Sequence, residues 1–272
     1  MLSLRDIKAG GRCAALTPAS LGIDLADAKW SSVGPVMLVQ GDARLLLRRM
    51  TGIADLVVTD PPYRLTSGGK SAVMGGKFSI QNYDNSGLLM DVVNWSEIAT
   101  PIHAAAKADA DCYVMCNDKN MRACLNWFED AGWKLHNILV WDKISPTRNR
   151  WYMKNVEFIC YFWKGRAKTI NHPGCKQTFV MPRPKDAIHP TQKPVEMLQT
   201  WVTNSSQPGD LVLEPFSGSA ATLVAAMRAG RRAIGIELEP EHYAASLARL
   251  RAEWRRIVTT HGNVSDCRRI QQ

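Results

Sequence analysis

The chain has 272 residues, a net charge of +9 and 46% hydrophobic residues, with a pI of about 9.3; this suits one large α/β domain with an insertion and leaves two independent domains cramped. No apolar stretch approaches the roughly 18 residues of a membrane span, and Arg5, Asp6, Lys8 and Arg12 interrupt any signal-peptide core. The basic balance favours a polyanionic partner, most simply nucleic acid, and the seven scattered cysteines suit a reducing cytoplasm better than a disulfide frame.

Residues 1–34 mix Gly, Pro, Ser and charge without sustained periodicity, so an arm or short helical lead-in is expected. Residues 36–40 read as a strand ended by Gly41-Asp42, 43–50 as a short helix, and 56–59 as a strand leading into Asp60-Pro61-Pro62-Tyr63. Residues 64–87 are loop-like, with Gly68-Gly69-Lys70 and Gly75-Gly76-Lys77. A loop of that length is a lid, a binding loop or disordered. Helices are expected over 90–107 and 120–131, and strands over 112–116, 135–141 and 156–163. The last third reads as a helix over 194–204, a strand over 211–213, a helix over 219–229, a strand over 233–236 and a long helix from Pro240. Its β-α-β unit implies parallel strands.

The stretch Asp60-Pro61-Pro62-Tyr63 describes a rigid pocket at the carboxyl edge of a parallel sheet. The prolines leave the carbonyls of Asp60 and Pro61 free to accept from a ligand. The Asp60 carboxylate adds a further acceptor, and Tyr63 offers a flat face for a ring. Such a pocket suits a planar group carrying an NH2. The alternative is a proline turn leaving a strand, with Tyr63 filling a core gap.

Between Lys143 and Lys193 the cations Lys143, Arg148, Arg150, Lys154, Lys164, Arg166, Lys168, Lys176, Arg183, Lys185 and Lys193 face only Glu157 and Asp186. Trp151, Tyr152, Trp163 and Phe179 are interleaved with them. A solvated charged face is the plain explanation; the clustering and the aromatics favour contact with phosphates and bases. Cys112, Cys116 and Cys124 match no zinc spacing, nor do His172 and Cys175, so packing or surface roles and no metal are expected.

The turn Glu214-Pro215-Phe216-Ser217-Gly218-Ser219-Ala220-Ala221-Thr222 joins a strand to a helix through small residues that let a ligand approach the backbone. Glu237, after the next strand, sits where dinucleotide-type folds place an acid on ribose hydroxyls. Only Gly218 of a G-x-G-x-x-G pattern is present, and Glu214 argues against a pyrophosphate there. An adenosyl ligand of positive charge, such as S-adenosylmethionine, fits better.

Asp60-Pro61-Pro62-Tyr63, His189-Pro190-Thr191-Gln192-Lys193-Pro194 and Glu214-Pro215-Phe216-x-Gly218-Ser219, in that order, resemble the amino-group DNA methyltransferases of the permuted β class. The resemblance covers roughly residues 36 to 258. It implies a circularly permuted, Rossmann-like S-adenosylmethionine-dependent methyltransferase fold of α/β class with a small basic target-recognition insertion. The implied layout is an arm over 1–34, a catalytic half over 35–142, target recognition over 143–188, a cofactor half over 189–260 and a tail over 261–272.

Residue by residue, the resemblance implies that Asp60, Pro61, Pro62 and Tyr63 hold the target base. Thr191, Gln192 and Lys193 would lie near the methionine carboxylate of the cofactor. Glu214, Phe216, Gly218 and Ser219 would line its methionine and ribose side, Glu237 would take the ribose hydroxyls, and Asp42 would face the adenine, unless it is simply a helix N-cap. Lys70, Lys77, Arg148, Arg150 and Lys154 would meet double-stranded DNA. The family usually has Asp where Glu214 stands and Gly-Thr-Thr where this chain has Ala220-Ala221-Thr222, which could tighten or shift the cofactor pocket. Asp60 at the head of the motif tilts the expectation toward the N6 amine of adenine. N4-methylation of cytosine, methylation of RNA or of a protein glutamine, and a silent DNA-binding protein of the same fold are the alternatives, and a homodimer is left open.

Overall fold

In the computed structural model, residues 15–63, 92–147, 152–189 and 191–260 are described. In chain order they form α1 (Pro18–Leu21), β1 (Lys29–Val33), β2 (Val36–Gln40), α2 (Ala43–Leu46) with a 3-10 turn (Leu47–Arg49), β3 (Ala54–Thr59), α3 (Trp95–Ala105), β4 (Ala106–Cys116), α4 (Met121–Asp130) and β5 (Lys134–Thr147). There follow β6 (Lys154–Trp163), β7 (Thr178–Val180), α5 (Val195–Ser205), β8 (Leu211–Glu214), α6 (Ala221–Arg228), β9 (Arg232–Glu237) and α7 (Pro240–Thr260).

Runs that are apolar on both faces make the centre of the sheet. β2, β3, β8 and β9 are buried along most of their length, as parallel strands covered by helices on both sides must be. The strand order is β1-β2-β9-β8-β3-β4-β6-β5-β7. From β2 to β4 every pairing is parallel; β6 then runs antiparallel to both β4 and β5, and β1 antiparallel to β2.

Helices α2, α3 and α4 cover one face through Leu46, Ile98, Ile102 and Phe128. Helices α5, α6 and α7 cover the other through Leu198, Trp201, Leu223, Val224 and Leu250. Each such side chain contributes about 1.5–3 kcal/mol on burial. Local signals set the helix ends: Asn94 and Glu97 form a capping box at the start of α3, and Asp42 caps α2.

The topology creates one special crevice. From β3 the chain winds through α3 to β4, and from its neighbour β8 through α6 to β9 in the opposite direction. The carboxyl ends of β3 and β8 thus flank a switch point, the place where open α/β sheets bind ligands. Asp60 follows the last residue of β3, and Glu214 is the last residue of β8.

One expectation needs correction. Residues 29–33, expected within an arm, form edge strand β1, pairing Lys29 with Gln40 through Val33 with Val36; with two exposed residues, two half-buried ones and only Val33 buried, its sequence shows no period-2 pattern. Within 143–188, the strand expected over 156–163 is β6, which lies inside the sheet between β4 and β5. The cations of this stretch are not one solvated face. Lys143 is buried, and the Lys164 ammonium donates to the carbonyls of His103 and Ala106 at 2.7 and 2.9 Å.

Candidate active site

Asp60 sits where β3 ends, and a lysine from 133 residues further along the chain reaches it: Lys193 Nζ ion-pairs with Asp60 Oδ2. The same ammonium lies 3.3 Å from Glu157 Oε2, and Glu157 Oε1 is 3.2 Å from Lys143 Nζ. Asp60, Lys193, Glu157 and Lys143 therefore form a chain of alternating charge running from β3 across to β6 and β5. Burial pushes the Asp60 carboxyl above its ordinary value, opposed by the Lys193 ammonium and reinforced by Glu157. Burial also works against the charge on Lys193, but the two carboxylates outweigh it and hold its pKa above that of an ordinary lysine. Glu157 is likewise desolvated, yet Lys193 and Lys143 hold its pKa below the usual glutamate value.

Pro61 is buried, and the Pro62 carbonyl accepts from the Val93 amide at 2.9 Å. Tyr63 lies parallel to Trp95, with ring centroids 6.0 Å apart and planes 20° apart. Trp95 is itself buried at the start of α3, so it backs Tyr63 within the core cluster. Burial and the nearby Asp60 raise the phenol pKa well above its usual value, so the hydroxyl stays protonated.

Across the crevice, the Glu214 carboxylate is turned back onto its own turn. Oε1 accepts from the Phe216 amide at 3.1 Å, and Oε2 accepts from the Thr222 hydroxyl at 2.9 Å. Burial pushes its pKa up to about 8 against these bonds. The Glu237 carboxylate spans the next gap, accepting from the Gly218 amide at 2.7 Å and the Glu239 amide at 3.0 Å. Burial raises it as well. From α7, Arg249 Nη1 donates to the Ser219 carbonyl at 2.8 Å, and the Ser246 hydroxyl donates to the Gly218 carbonyl.

Two backbone positions in this turn take positive φ: Gly218 at 48° and Ala220 at 58°. Glycine adopts that conformation freely, whereas alanine is strained by about 1–2 kcal/mol. The departure Ala220 therefore falls at a position where its Cβ is costly. A Cβ added at Gly218 would stand 3.7 Å from the His189 ring. His189 is a neighbour of the turn to which the motif assigned no role. Its Nδ1 lies 3.1 Å from the Thr191 hydroxyl, and burial, with His242 and Lys193 nearby, lowers its pKa to about 4.

The remaining expected residues are less concentrated. Gln192 Oε1 accepts from the Ile188 amide at 3.2 Å. Asp42, one residue past Gly41, whose amide donates to the Glu237 carbonyl at 2.9 Å, is a helix N-cap bonded to the Arg44 amide at 2.8 Å and ion-paired with the Arg44 guanidinium. Lys154 heads β6 and lies 3.3 Å from Asp118. Lys70, Lys77, Arg148, Arg150 and the loop 64–87 fall outside the described residues. A groove of about 510 Å³ lined by Met181, Arg183, Gln192, Arg228 and Arg249 lies alongside; Asp60 and Glu214 are not part of its wall.

The fold also assembles what spacing concealed. The sulfurs of Cys116 on β4, Cys124 on α4 and Cys160 on β6 lie within 4.8 Å of one another, all buried. Glu157, Lys143 and these thiols escape sequence reading because only strand pairing and, for Cys124, helix packing make them neighbours.

A family model described as DNA methylase, of the N6/N4 type, matches residues 54–248. The type II methyltransferase M2.DpnII of Streptococcus pneumoniae is 29% identical over 250 residues, covering 80% of this chain and 90% of that protein. The type II methyltransferase M2.LlaDCHI of Lactococcus lactis subsp. cremoris is 27% identical over 241 residues, covering 79% and 88%. Among solved structures, the M1.HpyAVI–SAM complex superimposes with a TM-score of 0.58 at 22% identity, covering 79% of this chain and 99% of that one. The cytosine-N4-specific PvuII DNA methyltransferase gives 0.62 at 17% identity, covering 84% and 96%; at such identities the likeness is one of fold. A sulfonium-bearing cofactor suits the residues here, because the acids Asp60, Glu214 and Glu237 stand at the carboxyl ends of the neighbouring strands β3, β8 and β9 and the turn after β8 keeps a Cβ-free position at Gly218. The chain belongs to the DNA methylase family of N6/N4 amino-group methyltransferases, with S-adenosylmethionine as its methyl donor.

Proposed function

We propose that the protein methylates the N6 amine of adenine at specific sites in double-stranded DNA, with Asp60 and the Pro61 carbonyl as the acceptors that activate the amine. The observation that carries this reading is the Asp60–Lys193 ion pair at the end of β3, beside the strand that ends in Glu214. An aspartate at the head of the motif favours adenine over cytosine. The relatives named type II methyltransferases support site-specific modification.

The amine of adenine is a weak nucleophile because its lone pair is delocalised into the ring. Accepting its N–H bonds draws the nitrogen toward tetrahedral geometry and localises that pair. An ionised carboxylate does this; a protonated one would donate instead, and burial pushes Asp60 toward protonation. Lys193 counters that push. When bound, S-adenosylmethionine supplies a methyl group on a good leaving group, a neutral thioether. Asp60, beside the amine, would take the proton that the nitrogen sheds on accepting the methyl group. Catalysis rests on positioning and fixed charge. The target is inaccessible in a paired duplex, so the base leaves the stack at a cost of a few kcal/mol. Tyr63, backed by Trp95, offers it a new stacking face.

Mass spectrometry of nucleosides from host DNA after expression tests the reading, with Asp60→Ala as control. N6-methyladenine that disappears in the variant is the expected result; N4-methylcytosine would move the activity to cytosine. The strained Ala220 favours a second reading, a DNA-binding protein without activity. Neither modified base, with duplex binding intact and no cofactor binding in calorimetry, would establish it.

A further inference from the structure

The β5–β6 hairpin overhangs the catalytic edge of the sheet. β4 ends where Cys116 faces Phe158 on β6, while β5 and β6 continue pairing through Trp141–Glu157 and Asp142–Val156 before the register shifts ahead of Thr147–Lys154. Residues 143–146 therefore project past the end of β4, on the side of the sheet where Asp60 lies beyond the end of β3.

Within this overhang the chain is kinked at Ile144, which has φ of 65°. A β-branched residue in the left-handed region is an outlier. The kink is built by Asp142, whose Oδ1 accepts from the Ile144 amide at 2.8 Å and from Asn155 Nδ2 at 3.1 Å. It separates two neighbours. Lys143 is buried and joined through Glu157 and Lys193 to Asp60, whereas Ile144 is 56% exposed. The overhang thus holds a large apolar side chain in water, in a backbone conformation unfavourable to it, a few contacts from the proposed catalytic acid. Close by in the sequence, Tyr152 and Met153 are exposed, and the exposed cations Arg183 and Lys185 follow Val180 of β7, which pairs with Asp142.

Strain of this kind clusters at active sites, ligand clamps and switch regions, and an exposed apolar side chain beside basic residues suits a partner with an anionic backbone and an apolar interior. Duplex DNA has both, and proteins that deform it insert apolar wedges between base steps. We propose that Ile144 is the wedge: it enters the base stack of duplex DNA next to the target and fills the space the base leaves on moving toward Asp60. This rests on the activity proposed above and assigns its base-extraction step to a named side chain.

The test compares wild type with Ile144→Gly and Ile144→Leu on two duplexes, one fully paired and one with the target base mispaired, following kcat/KM and the fluorescence of 2-aminopurine at the target. Glycine relaxes the kink and removes the wedge; leucine keeps the bulk. The expected result is a loss of about tenfold or more for Ile144→Gly on the paired duplex, shrinking to about threefold or less on the mispaired one, because extraction there is easier. Ile144→Leu stays near wild type, and the 2-aminopurine signal of Ile144→Gly on paired DNA is weakened. Equal activity of Ile144→Gly and wild type on paired DNA overturns the wedge, as does an equal loss on both duplexes. If wild type methylates neither duplex, the underlying activity is wrong and the wedge falls with it.

Discussion

Lys193 and Asp60 meet as an ion pair with side chains only 8% and 18% exposed, and Glu157 holds the same ammonium from its other side at 3.3 Å. One cation between two carboxylates favours the ionised form of both acids in a place where burial favours their neutral forms. The acceptor role proposed for Asp60 thus depends on a residue from the His189–Pro194 motif and on another from β6.

Replacing Lys193 with Met leaves two acids without their shared counter-charge. Removing one partner of a buried pair costs about 3–5 kcal/mol, so the variant should melt well below wild type. In the protein that folds, the Asp60 carboxyl rises further and the acid limb of the kcat/KM profile moves to higher pH. Glu157→Gln should move that limb the other way, since Glu157 raises Asp60. Shifts of the same sign in both variants would refute this electrostatic account.

Ala220→Gly should stabilise the protein. Alanine at φ 58° is strained, and glycine removes about 1–2 kcal/mol of that cost, less its greater backbone entropy in the unfolded chain. Calorimetry should show a higher Tm and tighter S-adenosylmethionine binding. A variant no more stable than wild type would show that the turn carries no strain.

Glu214 sets a pH dependence of stability in the cofactor-free protein. Its pKa is raised from 4.5 to about 8 on folding, so the folded state holds more protons than the unfolded state across that interval. Stability therefore falls as pH rises from about 4.5 to about 8. Glu214→Gln should flatten the thermal-stability profile in this window. An unchanged slope would mean that the carboxyl is not raised.

The imprint of Glu214, Gly218 and Glu237 was readable in the chain because local pattern dictates it: apolar runs make buried parallel strands, and acids and small residues just beyond them fall at the carboxyl edge. The helix from Pro240 to Thr260 and the strands β3, β8 and β9 were legible for the same reason. Edge strand β1 was not, since only one of its five residues, Val33, is buried. The buried state of Lys143 and Lys193 was not either, because a run of cations looks solvated until a carboxylate from another strand is placed against it.

Sequence by itself thus determined the order of the central strands and their helices and put Asp60 and Glu214 at strand ends, since strand burial and turn chemistry act over a few residues. Only the tertiary structure decided what those acids touch. Parallel pairing sets the strand of Glu214 against that of Asp60, and the packing of the His189–Pro194 segment brings Lys193 onto Asp60. Antiparallel pairing of β5 and β6 adds Glu157 and Lys143 and leaves Ile144 facing water beyond the edge. Charge compensation at low dielectric depends on distances in space, and those are fixed only when the sheet closes.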